Sequence, residues 1–210
     1  MKLGTGTVIV DPPWPYHQTS PTASALPKAR RRSSYGQLSI AELMALPVGE
    51  LADYLFLWTT VAFTEEAYQL VRAWGFVPVT KLYWIKTTAI DAGNNRFAPE
   101  YGVGFWFRGA VEEVIVGKKP EAASINTPWQ GLLSPNYGHS RKPENIHEII
   151  ESDYPQPHLE LFARQTRRGW TCLGNDIDGE DIGEAIRRYQ RTGQAPVERI
   201  DRPGKRGFFR

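Results

Sequence analysis

The chain holds one cysteine, Cys172, among 210 residues. No internal disulfide can form, and nothing points to an oxidising compartment. No apolar run approaches the ~20 residues needed to cross a bilayer. The opening Met1-Lys2-Leu3-Gly4-Thr5-Gly6 lacks a signal-peptide pattern, so the expectation is an intracellular, cytoplasmic protein with no membrane partner. Internal repeats and a domain linker are also missing. No zinc-binding cysteine pattern is present, so targeting through zinc fingers has no support. Net charge is only +2, too small by itself to argue for a polyanionic partner. What is present is ordinary for a globular domain: 41% hydrophobic and 23% charged residues, on a chain long enough for one core. We expect a single domain over 1–194 and a basic, loose tail over 195–210.

Charge is informative through its distribution. Lys28, Arg30, Arg31 and Arg32 cluster early, Arg167 and Arg168 late, and Arg202, Lys205, Arg206 and Arg210 crowd the end. Such clusters line phosphate-binding surfaces or simply solvate the protein.

The hydrophobic pattern alternates between strands and helices. Thr7-Val8-Ile9-Val10 predicts a buried strand closed by Asp11-Pro12-Pro13, since proline cannot donate to a ladder. Residues 15–37 lack apolar periodicity, and a loop of that length is usually functional or mobile. Ser39-Ile40-Ala41-Glu42 is a capping box that starts a short helix stopping before Pro47. Strands are expected at Tyr54–Trp58, Leu82–Ile85, Val111–Val116, Leu159–Phe162 and Trp170–Leu173. Irregular stretches follow the second of these, around Asn94 and Asn95, and the third. Helical stripes comprise Ala67, Leu70, Val71 and Trp74, capped by Thr64 and ended by Gly75; then Ile146, Ile149 and Ile150 behind Pro143; then Ile182, Ala185, Ile186 and Tyr189. The order predicts an α/β sheet with helices on both faces.

The chemistry is concentrated in Asp11-Pro12-Pro13-Trp14, directly after a strand, where open α/β sheets place their ligands. Asp11 offers carboxylate oxygens to an amino group. The prolines fix φ and withhold N–H donors, leaving carbonyls in a rigid turn. Trp14 offers a π face on which a base can stack. Adenine N6 is a poor nucleophile because its lone pair is delocalised into the ring. Hydrogen bonds from its amine to Asp11 and to the Pro12 carbonyl would pull the nitrogen toward tetrahedral geometry and aim the pair at an electrophilic methyl. Positioning and charge placement suffice for that displacement, and no metal is needed. The competing reading is a strand-ending turn with a core tryptophan.

The remaining motifs favour the first reading. From about Val8 to Asp176 the chain resembles the DPPW-type N6-adenine methyltransferases. This family includes the catalytic subunit of the messenger-RNA adenosine methyltransferase complex and phage and bacterial DNA adenine methyltransferases. The likeness runs through Asp11-Pro12-Pro13-Trp14, Tyr35-Gly36, Leu55-Phe56-Leu57-Trp58, Trp84-Ile85-Lys86-Thr87, Glu112-Glu113-Val114-Ile115-Val116-Gly117, Ser140-Arg141-Lys142-Pro143, Leu159-Glu160-Leu161-Phe162-Ala163-Arg164 and Gly169-Trp170-Thr171-Cys172-Leu173-Gly174-Asn175.

The resemblance implies a Rossmann-like methyltransferase fold in permuted order, catalytic half first, with S-adenosylmethionine as donor and S-adenosylhomocysteine as product. It implies that Asp11 serves both the target amine and the methionine end of the donor. Lys142 would lie near the donor carboxylate, Arg164 at its ribose, Asn175 near ribose and adenine, and Tyr35 beside the target base. Thr166 and Asp176 stand where relatives carry other hydrogen-bonding residues. Tyr16, Lys86 and Glu112 complete the candidate substrate contacts. Each has a plainer alternative: Arg141 and Lys142 as a solvated helix start, Arg164 paired with Glu160, Asn175 as a helix cap, and Lys86 as a surface residue. Tyr83, Trp84, Phe105, Trp106 and Phe107 suit a core or an interface better than a base platform. Only ten residues precede Asp11, so the upstream segment with which some relatives hold the donor adenine has no counterpart.

Such a site cannot reach a stacked adenine. The base must be flipped out or single-stranded, and the loop from Pro15 to Tyr35, with His17, is the natural lid. A small chain of this type favours DNA over RNA, as a monomer or homodimer. A catalytically inactive nucleic-acid-binding partner is the alternative from another class, and N4-cytosine methylation shares the amine chemistry.

Overall fold

The structure is a computed structural model that describes residues 6–16, 37–91, 96–102, 106–127, 130–136, 138 and 141–194. His17, the basic cluster at 28–32, Tyr35, Asn94, Asn95, Phe105 and the tail over 195–210 lie outside the described residues.

Eight strands form one sheet: β1 (Thr7–Val10), β2 (Tyr54–Thr59), β3 (Val77–Asp91), β4 (Arg96–Pro99), β5 (Val111–Lys118), β6 (Gly131–Pro135), β7 (His158–Leu161) and β8 (Trp170–Leu173). The helices are α1 (Ile40–Met44), α2 (Thr64–Ala73), α3 (Asn145–Asp153), α4 (Asn175–Asp178) and α5 (Ile182–Thr192). Strand order is β4-β3-β5-β2-β1-β7-β8, with β6 paired to β3. β1 runs parallel to β2 and β7, and β7 parallel to β8. β5 lies antiparallel between β2 and β3, so β2 and β3 share a direction. β1, which leads directly into Asp11, is the first described strand and lies inside the sheet, while β7 and β8 come last. This is the Rossmann-like arrangement in permuted order.

Side chains alternate across each strand, and the apolar runs therefore feed two cores. Val8, Val10, Leu55, Leu57, Leu159 and Leu161 pack with Leu43, Leu70 and Ile186 from α1, α2 and α5. Ile9, Phe56, Trp58 and Cys172 pack on the other face with Ile146 and Ile150 of α3 and Ile177 of α4. Burial on both faces is why these strands read as unbroken apolar runs.

The local signals mostly held. Ser39 and Glu42 form the reciprocal capping box. Gly75 adopts φ +76° after α2, and Lys119 Nζ reaches the carbonyls of Trp74 at 3.0 Å and Gly75 at 3.3 Å there, satisfying orphan groups at a positive charge's preferred helix end. Three expectations need correction. Thr64 is the first residue of α2 and not its cap. Its hydroxyl bonds Val61 O at 3.2 Å and Glu113 Oε2 at 2.9 Å. Pro143 precedes the first helical residue of α3 by two positions. β3 is 15 residues long, and β4 and β6 add pairing where irregular chain was expected. Both end in proline, which masks them as strands in sequence but is tolerated at a strand terminus.

Candidate active site

Strand register gathers the site. Val10 pairs with Leu161, and Leu161 with Leu173, so Asp11, Phe162 and Gly174 each stand one step beyond a common row. Val10 also pairs with Leu57, which places Trp58 at the same edge. β5 runs the other way and delivers its first residues here, with Glu112 opposite Trp84 of β3. Lys86 follows two residues later.

These side chains form a chain of alternating charge. Lys142 Nζ lies 3.1 Å from Asp11 Oδ1 and 2.9 Å from Glu112 Oε2. Lys86 Nζ lies 2.6 Å from Glu112 Oε1. The four come from residues 11, 86, 112 and 142 and meet only through the sheet. An aromatic floor supports them: Lys142 stands 5.2 Å from the Trp58 ring centre and Lys86 4.9 Å from that of Trp84. The two indoles pack edge to face at 6.1 Å. The π faces attract both ammonium groups.

Burial sets the titration of this array. It pushes the Asp11 carboxyl above the ordinary aspartate range, and the Lys142 ammonium offsets that shift only in part. Burial works to raise Glu112 as well, but Lys142 and Lys86 outweigh it and hold its carboxyl low. Burial disfavours charge on Lys142, yet Asp11 and Glu112 prevail and raise its pKa. The two carboxylates therefore differ in sign of linkage. Any stability from Glu112 is lost as pH falls through its lowered pKa, whereas Asp11 favours the fold when protonated and loses that contribution as pH rises through its raised one.

Beside the array lies a cleft of about 270 Å³ lined by Asp11, Trp58, Arg141, Lys142, Glu160, Phe162, Arg164 and Arg167, among others. It presents carboxylates and cations together. Phe162 adopts φ +61°, a conformation uncommon for a bulky residue and worth a functional reading. The turn it makes at the end of β7 carries the chain to Arg164. Among the described residues, two buried polar atoms without a hydrogen-bond partner, His147 Nδ1 and Arg167 Nε, belong to residues lining this cleft.

The structure thus brings Asp11, Lys142, Glu112, Lys86 and Arg164 to one place, and Lys142 is no solvated helix start. Asn175 and Asp176 open α4 above the same sheet edge but outside the cleft lining. Gly174, not Asn175, holds the cap position. Thr166 is exposed and is not part of the lining either. Pro12 O accepts from Trp14 N at 2.9 Å, which leaves one of its two lone pairs for another donor.

Trp14 corrects the expectation of an open stacking face. It is 5% exposed, stacks on Phe63 with centroids 5.2 Å apart, and donates from Nε1 to Trp58 O at 3.2 Å. The indole fixes the turn from below. Trp14→Ala is expected to cost about 3–5 kcal/mol of stability, measurable by urea unfolding; an unchanged midpoint would contradict the packing role. The exposed ring nearby is Tyr16, whose hydroxyl bonds Thr60 Oγ1 at 3.2 Å and whose ring meets Phe63 edge-on.

Sequence reasoning missed His147, which pairs through Nε2 with Glu160 Oε2 at 3.1 Å. It lies between Ile146 and Ile150 on a helical stripe, and no local pattern marks it as a cleft residue. Glu144 was missed too; it pairs with Arg167.

A family model described as MT-A70 matches residues 6–176. An Arabidopsis thaliana protein named N(6)-adenosine-methyltransferase MT-A70-like is 30% identical over 194 residues, 88% of this chain and 26% of its own length. The human N(6)-adenosine-methyltransferase catalytic subunit METTL3 is 30% identical over 179 residues, 82% of this chain and 28% of its own. Human N(6)-adenine-specific methyltransferase METTL4 is 26% identical over 193 residues, 81% and 37% respectively. The chain therefore spans roughly a quarter to a third of the relatives' length.

Proposed function

This chain belongs to the MT-A70 family, and on that footing we propose that it transfers a methyl group from S-adenosylmethionine to the N6 amine of adenine in a nucleic acid. The observation that carries the reading is Asp11, at the mouth of a mixed-charge cleft and held there by Lys142 at 3.1 Å.

The cleft residues suit the donor. Asp11 and Glu160 can accept from its ammonium, while Lys142 and Arg141 face a carboxylate. Arg167 Nε and His147 Nδ1, buried without a partner, are ready for a polar ligand. Arg164 is assigned to the ribose, with Asn175, Asp176 and Thr166 as outer contacts toward ribose and adenine. S-adenosylmethionine supplies a methyl carried on a sulfonium. Asp11 accepts one amine N–H and the free lone pair of Pro12 O accepts the other, so the nitrogen pair is directed at that methyl. Transfer would form the N–C bond as the donor's C–S bond broke, leaving that pair on sulfur and the extra amine proton to pass to water. Lys142 favours the ionised form of Asp11 against burial, and Glu112 holds Lys142 in place. Tyr16 and Tyr35 are assigned to the target base.

Asp11 accepts most strongly when ionised. Its carboxyl lies above the ordinary 3.8, so the acid limb of kcat/KM is expected above that of a solvated aspartate, and higher still in Lys142→Met. An acid limb that Lys142→Met leaves in place would contradict the pairing.

We take the polymer to be DNA and the assembly to be a monomer or homodimer. Labelled methyl transfer to matched DNA and RNA oligonucleotides, followed by nucleoside analysis, tests polymer and base together. N6-methyldeoxyadenosine is the expected product. N6-methyladenosine from RNA alone would move the assignment to RNA, and N4-methylcytosine would overturn the base. Binding without transfer on every polymer would make the chain an inactive partner, a role in which the intact Asp11–Lys142–Glu112 array has no use.

A further inference from the structure

The described tryptophans fall into two groups. Trp14, Trp58, Trp74, Trp84 and Trp170 are all buried, at 8% exposure or less, whereas Trp106 is 95% exposed and its neighbour Phe107 90%. An indole and a phenyl ring side by side in water gain nothing from folding.

The chain on either side of them is nevertheless tied down. The segment that carries them is stitched at its base to β3: Glu100 N donates to Lys86 O at 2.8 Å, and Lys86 N donates to Ala110 O at 2.8 Å. One step further out, Gly102 N donates to Gly109 O at 2.7 Å. Arg108 then clamps the incoming side, donating from Nε to Gly102 O at 3.2 Å and from Nη2 to Tyr101 O at 3.0 Å. The residue at the foot of this projection, Lys86, is the one whose ammonium pairs with Glu112 at 2.6 Å, and Glu112 follows Ala110 by two residues. The rings therefore sit on a segment whose base is hydrogen-bonded to Lys86, itself a member of the Asp11–Lys142–Glu112–Lys86 array.

We propose that Trp106 and Phe107 are a stacking wedge for the nucleic-acid substrate, filling or flanking the place that the target adenine vacates when it leaves the base stack. The proposal rests on the adenine-methylating reading above and adds a contact to the strand around the target base. With Trp14 buried against Phe63, the flipped base is left to Tyr16 and Tyr35, and Trp106 and Phe107 are two exposed rings free to meet the bases that stay in the stack. Apolar rings at a base step favour unstacking, and a base lying on an aromatic face is held with little regard to sequence. Such rings act on substrate capture and not on the donor, whose cleft is lined by Asp11 and Lys142 but not by Lys86, Glu112 or either ring.

The test compares wild type with Trp106→Ala/Phe107→Ala and the conservative Trp106→Phe/Phe107→Tyr, using an oligonucleotide that the wild type methylates, carrying 2-aminopurine beside the target adenine. The alanine pair is expected to raise KM for the oligonucleotide about tenfold or more, to lose the 2-aminopurine fluorescence change on binding, and to leave S-adenosylmethionine affinity unchanged. The conservative pair should restore most of KM and of the signal. Unchanged KM and unchanged fluorescence in the alanine pair overturn the wedge. So does a loss that coincides with conversion of a dimer to a monomer in sedimentation, which would assign the rings to a second copy of the chain. A wild type that transfers no methyl would sink the activity alone: oligonucleotide anisotropy would still show a tenfold loss of affinity in the alanine pair if the wedge exists, and none if it does not.

Discussion

Asp11→Asn and Asp11→Ala are expected to lower methyl transfer by about a thousandfold or more while the protein remains folded. Asp11 is a single residue beyond β1, outside both cores, so neither change opens a cavity there. Function depends on what its oxygen accepts. Asparagine has the shape but only a neutral carbonyl and a competing NH₂ donor, and it gives Lys142 no opposite charge. The amine would be bound loosely and its lone pair left in the ring. Steady-state transfer measured beside far-ultraviolet circular dichroism and thermal unfolding separates the two effects. Near-wild-type turnover in Asp11→Asn would remove this residue from the chemistry.

Lys142→Met carries the second large effect. The lysine bridges Asp11 and Glu112, with side-chain exposures of 17%, 26% and 13% for the three. Its loss leaves two carboxylates near each other, Glu112 still paired with Lys86 and Asp11 with only the more distant influence of Arg164, and removing one partner from a largely buried pair is far more damaging than its presence is helpful. After allowance for partial exposure, about 2–3 kcal/mol of stability should be lost, together with a fall of at least about tenfold in donor affinity. Glu112→Gln in the same chain should recover part of the stability, because it removes the repulsion between the two carboxylates that Lys142 no longer bridges; additive losses in the double variant would refute the coupling. Donor affinity is read by calorimetry and stability by urea unfolding.

The fold was legible where burial imposes a period. Tyr54–Thr59, buried at every position, and the α5 stripe are unambiguous because the core reads each residue. β4 and β6 were hidden, since proline-containing edge segments resemble loops until a long neighbour such as β3 offers them hydrogen bonds. The site was partly legible for a related reason. Asp11-Pro12-Pro13 declares itself by rigidity at a strand end, and Lys142, Glu112 and Lys86 were marked by resemblance. That they form one continuous charge array was not visible, because the pairing depends on sheet register between residues far apart in sequence. Trp14 was misjudged on orientation: a residue after a double proline can turn toward solvent or core, and only Phe63 and the Trp58 carbonyl decide which. The turn at Phe162 had no glycine to announce it.

Single-turnover transfer, with S-adenosylmethionine saturating both wild type and Asp11→Asn and each protein in excess over an adenine oligonucleotide, tests the central claim most directly. The account requires a burst of N6-methyladenine from the wild type and none above background from the variant, at equal donor occupancy. Equal bursts from the two proteins, or a wild type that holds donor and oligonucleotide together yet leaves every adenine unmodified, would contradict it.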